Sequence, residues 1–159
     1  MQGEKKVIAV LNAAIKAEFT AAQQYLLNGT MLKNWGVHKL GEFELGEMAD
    51  ERAHAQRLVD RILFLDGTPQ VGEIGKIKVC KTVREMLEVD LALEIEAVKM
   101  YREAIHICED LRDYGTAELF EDLLEDEEGH VDHIESMLWQ IDNMGIENFI
   151  KLQSVPAKE

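Results

Sequence analysis

Asp50-Glu51-x-x-His54 recurs in this sequence as Asp126-Glu127-x-x-His130, a shift of 76 positions (51 to 127, 54 to 130). The same shift carries Glu18 onto Glu94 and Tyr25 onto Tyr101. A constant offset among chemically distinctive residues marks an internal repeat. On a helix, residues three apart share a face, with Cβ atoms about 5–6 Å apart, so a carboxylate and an imidazole at that spacing can grip one cation.

All six of these Glu and His residues fall on apolar stripes. Glu18 lies between Ile15 and Ala22, and Glu94 between Leu91 and Val98. Glu51 and His54 share a face with Met48 and Leu58, and Glu127 and His130 share one with Leu123, Leu124 and Ile134. Four inward carboxylates would each cost several kcal/mol if left unpaired, whereas two divalent cations bring their charge to zero. A single Glu-x-x-His is common surface decoration, and an inward Glu can instead pair with a cation such as Arg61. The doubled motif, with one further Glu from each remaining helix, points to a two-metal carboxylate site. Glu and His serve iron, manganese and zinc alike, so ligand type does not choose the metal.

Other residues rank below these six. Tyr25, two turns after Glu18, is placed to hydrogen-bond a ligand or supply an electron, and equally to pack in the core. His38, His106 and His133 read as solvent-facing, with His133 a secondary metal candidate three residues after His130. Trp35 and Trp139 read as packing residues, and Met48, Met86, Met100 and Met137 as core or interface filler.

The elements that must position the motif follow from apolar periodicity and its interruptions. Helices are expected over about 5–34, 40–65, 82–112 and 116–143, with a short one over about 146–152 before a polar tail. Asn34-Trp35-Gly36, Asp66-Gly67-Thr68-Pro69, Asp113-Tyr114-Gly115 and Gly145 mark the breaks, and Thr82-Val83-Arg84-Glu85 reads as a capping box. Between Gly67 and Lys81 lies a connection long enough to cross the bundle, in which Ile74, Ile77 and Val79 alternate as a locally extended stretch would. Two antiparallel hairpins joined by one crossover form an all-α four-helix bundle, read as a single domain over 1–159.

Composition limits the partners. With 31 acidic and 17 basic residues the net charge is −14, which repels a nucleic-acid backbone. The apolar run from Val7 is broken by Asn12, Lys16 and Glu18, so neither a signal segment nor a membrane span is expected. Cys80 and Cys108 form no Cys-x-x-Cys pair, which suits a reducing cytoplasm.

With these residues in place, the sequence resembles the bacterioferritins over essentially its whole length. The resemblance includes Gln24-Tyr25-Leu26, Asn34-Trp35-Gly36, the run Arg61 to Pro69 and Asp126-Glu127-Glu128-Gly129-His130. It implies a ferritin-like fold and a 24-subunit shell that oxidises Fe(II) with O₂ or H₂O₂ and stores ferric mineral. Carried over, Glu51 and Glu127 bridge two irons, Glu18 and His54 complete one, and Glu94 and His130 the other. Asp50 corresponds to an inner-surface iron site, but Gly46 stands where the family often has its histidine. Stored iron would be released by a reductant of the ferredoxin type.

One departure concerns haem b, which bacterioferritins hold between two subunits through a methionine one residue after the bridging glutamate of the second helix. This chain has Arg52 there. Met48, one turn earlier, is the substitute that helix offers. The expectation is a subunit that binds no haem by itself or that assembles with a haem-binding bacterioferritin paralogue. Two other readings use the same bundle: a rubrerythrin-like di-iron peroxidase, against which stands the missing Cys-x-x-Cys iron site, and a structural cage subunit, against which stands the complete ligand set.

Overall fold

The computed structural model describes residues 1–155. Four long helices, α1 (Lys5–Asn34), α2 (His38–Phe64), α3 (Val83–Asp110) and α4 (Tyr114–Met144), form a bundle, and a short α5 (Ile146–Gln153) packs against α4 and α2. This is the expected all-α architecture with a terminal helix. Pro156 and the rest of the polar tail lie outside the described residues. No helix among the described residues is long and apolar enough to cross a membrane.

Local chemistry ends each helix. Gly36 adopts φ +84°, and the Val37 N–H reaches back to the Leu32 carbonyl at 2.9 Å, closing α1 with a left-handed cap that turns the chain directly into α2. Asp66 (φ 56°) and Arg112 (φ 59°) do the same after α2 and α3 without glycine. Thr82 caps α3 by accepting from the Glu85 N–H at 3.1 Å. The expected capping box is only half formed, because the Glu85 carboxylate accepts from the Lys81 N–H, one residue earlier than the reciprocal bond requires. Asp113 caps α4 by accepting from the Thr116 N–H at 3.0 Å.

The crossover runs alongside α1 in the same direction and is tied to it by side chains. Asn12 bonds the backbone of Thr68 and Gln70, Thr20 accepts from Gly75, and the Gln24 amide pairs with both the N–H and the carbonyl of Lys78. Those bonds satisfy backbone groups of Thr68, Gln70, Gly75 and Lys78 without a partner strand. Ile74, Ile77 and Val79 lie in this stretch outside any helix, and Ile74 and Val79 are exposed. The α3 helix then descends antiparallel to α1.

Two apolar clusters fill the bundle. One, at the α1 N-terminal end, gathers Val7, Leu11, Ile15, Leu58, Ile62, Tyr101 and Phe120. The other gathers Leu32, Leu40, Met86, Leu87, Ile134, Met137 and Phe149. Buried polar side chains lie on the helices between them. Trp35 and Trp139 are not packed as expected: they are 42% and 65% exposed, because apolar residue type does not say whether a residue's own chain covers it.

Candidate metal centre

Each helix brings its inward residues to one level. Glu18 comes from α1, Glu51 and His54 from α2, Glu94 from α3, and Glu127 and His130 from α4. The five other than His130 are buried, and the His130 side chain is 13% exposed. Glu18, Glu51, His54 and Glu127 form one group whose ligand atoms lie within 4.8 Å of one another, and Glu51, Glu94, Glu127 and His130 form a second. Glu51 and Glu127 belong to both.

The histidines present equivalent atoms to this centre. His54 Nδ1 lies 2.9 Å from Glu127, 3.5 Å from Glu18 and 3.9 Å from Glu51. His130 Nδ1 lies 3.1 Å from Glu51, 3.4 Å from Glu94 and 3.5 Å from Glu127. The outer nitrogens meet other carboxylates: His54 Nε2 lies 3.1 Å from Asp126, and His130 Nε2 lies 3.0 Å from Glu47. A carboxylate behind an imidazole fixes ring orientation and strengthens the facing nitrogen as a ligand.

Two tyrosines reach across the bundle. The Tyr25 hydroxyl donates to Glu94, and the Tyr101 hydroxyl donates to Glu18. Tyr25 therefore serves the glutamate opposite and not the one on its own helix. Several atoms find no aligned hydrogen bond: both oxygens of Glu127, one each of Glu18 and Glu51, and both inner histidine nitrogens. Buried donors and acceptors that converge without satisfying each other suit a cation as their common partner. Arg61, the one inward cation the sequence suggested, bonds Asp113 and Thr116 at the bundle end instead.

Protons balance this charge when no metal does. Burial and the adjacent Glu18 carboxylate push Glu51 well above the usual carboxylate range, and burial together with Glu127 does the same to Glu94. Burial opposes charge on the histidines, but Glu127 and Glu18 outweigh it and raise His54 to about 10. Glu127, Glu51 and Glu94 raise His130 further. Glu127 moves the other way: burial would raise it, and the close approach of Glu94, His130 and His54 holds it below the ordinary range.

The remaining sequence candidates separate. Asp50 is exposed and groups with Glu47 and the outer side of His130, apart from the two ligand groups. His133 is exposed and stacks on Phe43 at 4.5 Å between centroids. Met48 and Arg52 line an open groove of about 430 Å³ with Phe19, Leu26, Val71 and Ile74. Sequence reasoning assigned no role to Tyr101, Asp126 or Glu47. The 76-residue offset pointed to the first two as echoes of Tyr25 and Asp50, whereas Glu47 had no such signal.

Comparison with known proteins agrees with this architecture. The ferritin-like domain family matches residues 8–144. The bacterioferritin of Brucella melitensis is 39% identical over 159 residues, spanning 100% of this chain and 99% of its own. That of Mycolicibacterium paratuberculosis is 40% identical over 147 residues, 92% of each chain, and that of Rhodobacter capsulatus is 38% identical over 156 residues, 98% and 97%. Extended similarity at this level, on a bundle with doubled Glu-x-x-His pairs at one buried level, places the chain in the bacterioferritin family of ferritin-like proteins.

Proposed function

We propose that this chain is an iron-storage ferroxidase, taking Fe(II) as substrate and retaining ferric iron within a 24-subunit shell. The observation that carries this reading is that Glu51 and Glu127 both approach the inner nitrogens of His54 and His130. In this assignment Glu51 and Glu127 would serve both cations, Glu18 and His54 would hold one, and Glu94 and His130 the other. Iron in such a site supplies one-electron chemistry toward O₂ or H₂O₂. The protein holds the carboxylates and imidazoles in register, keeps the site dry, and orients the two rings through Asp126 and Glu47.

Anaerobic Fe(II) titration is expected to saturate at about two per subunit, from the charge balance of four carboxylates, with rapid oxidation when O₂ is admitted. No saturable oxidation would overturn the assignment. Cation affinity should rise with pH across the neutral range. The empty His54 is protonated below about 10, so a cation at its Nδ1 must displace a proton and binds more weakly as pH falls. A pH-independent Co(II) affinity would exclude His54 as a ligand. Light scattering separates the storage shell from a peroxidase dimer.

The groove around position 52 does not suit a haem held by one methionine from each of two subunits, since it presents the Arg52 guanidinium at the family's methionine position and Met48 a turn away. We infer that the homo-oligomer binds no haem by itself, and that haem would require a methionine-bearing paralogue. Arg52→Met should produce a Soret band at one haem per two subunits. The same band in the wild-type homo-oligomer would overturn this inference.

A further inference from the structure

The offset that relates the ligands fails one to three turns away from them. In the apolar cluster at the α1 N-terminal end stand Ala14, Met100, Ala104 and Phe120. Their counterparts, 76 positions away (14 to 90, 24 to 100, 28 to 104, 44 to 120), are Asp90, Gln24, Asn28 and Glu44. All four counterparts are buried. The repeat thus keeps its ligands and exchanges four apolar positions for acids and amides, which the ligand set does not explain.

These side chains form one network. Glu44 and Asp90 are 0% and 1% exposed, and their carboxyls adjoin one another. Asn28 Nδ2 donates to Asp90 at 2.9 Å, and Gln24 Nε2 donates to Asn28 Oδ1 at 3.0 Å. Both Glu44 oxygens and the second Asp90 oxygen receive no hydrogen from any other group. The titratable neighbours are Tyr25 from α1, Glu47 from α2, Glu94 from α3 and the Cys80 thiol from the crossover. From α4, His130 is engaged by Glu47. Two buried carboxyls in contact cannot both ionise without a partner. Asn28 turns its hydrogens toward Asp90 and its oxygen toward Gln24, an orientation that favours an anion and opposes a metal ion, so the missing partner is a hydrogen.

We propose that Glu44 and Asp90 hold one proton between them while the metal centre is empty, and release it to solvent when the centre takes up its cations. This rests on the metal-site reading above. The O–H bond that breaks belongs to the pair, and no electron moves. Cations beside Glu94, one helical turn from Asp90, make the second negative charge of the pair affordable by Coulomb attraction. Burial pushes Glu44 well above its ordinary range and Asp90 up to about 7, so the proton is held near neutrality and is within reach of such a field.

Zn(II) binds these donor types without redox chemistry and serves as the probe. Calorimetric titration of the full-length metal-free protein, in two buffers of different protonation enthalpy, gives both stoichiometry and protons released. Wild type should release about one more proton per subunit than Glu44→Gln, with two Zn(II) bound in each, since Gln keeps the shape and a hydrogen bond to Asp90. Equal proton counts at equal stoichiometry overturn the proposal and leave the metal site standing. Failure of wild type to bind two Zn(II) overturns the metal reading, and the release step with it. The resident proton is tested without metal by infrared difference spectra of wild type against Glu44→Gln and against Asp90→Asn. A deuterium-sensitive carbonyl band of a protonated carboxyl is expected in both differences, and its absence overturns the pair. A third Zn(II) lost only in Glu44→Gln would also overturn it, by making the pair a metal site.

Discussion

On one flank of the metal level Phe120 packs against Tyr101, ring centroids 5.4 Å apart, among Ala14, Ala104 and Leu123. On the other flank the repeat-related positions hold Glu44, Asp90, Asn28 and Glu47, and the polar groups run from the core toward the surface. The 76-residue offset pairs the two flanks position by position. The side chains at those positions differ in chemistry, and the two histidines differ with them. The His130 side chain is 13% exposed with Glu47 behind it, while that of His54 is 7% exposed with Asp126 behind it. The two groups of candidate ligands offer near-equivalent donors, and the unequal flanks set one against an apolar cluster and the other against buried acids and amides.

That comparison can be broken most severely at its apolar side. Phe120→Glu would set a carboxyl opposite Ala14 with no amide to receive it, and should cost about 4 kcal/mol or more through lost packing and an unpaired buried group. Denaturant unfolding of the metal-free protein is the measurement, and a loss under about 1 kcal/mol would mean that this apolar flank accommodates a buried carboxyl. Next in size, Glu127→Ala removes the carboxylate shared by both groups and should reduce Fe(II) oxidation about 100-fold or more, since even outer partners of metal ligands are worth 10–100-fold. Single-turnover kinetics would read it.

Asp126→Asn and Glu47→Gln sharpen the contrast between the histidines. Each should weaken one cation position about 10-fold while sparing the other, visible as two separated steps in a Co(II) titration. Equal weakening of both steps would show that the outer carboxylates do not act on individual rings. The smallest effect expected is for Tyr101→Phe, which leaves Glu18 without its donor. About 1 kcal/mol of stability should be lost in the metal-free protein, and little once cations bind that carboxylate.

Much of this arrangement was legible before any coordinates. The period of 3.6 residues puts Glu51 with His54 and Glu127 with His130 on one face, and apolar neighbours turn that face inward. Glycine at 36 and 145 and proline at 69 punctuate the chain, so four long helices and one crossover followed. Trp35 and Trp139 misled because burial of an aromatic depends on what lies opposite.

What the sequence by itself determined is the set of inward residues on each helix, because the helical period is a local property of the backbone. Only the tertiary structure decided which of them meet. Tyr25 bonds Glu94 rather than Glu18, His130 meets Glu47, and Glu44 finds Asp90 across a crossover. Those pairings depend on the relative height and rotation of packed helices, quantities fixed by how ridges and apolar clusters interlock between segments far apart in the chain.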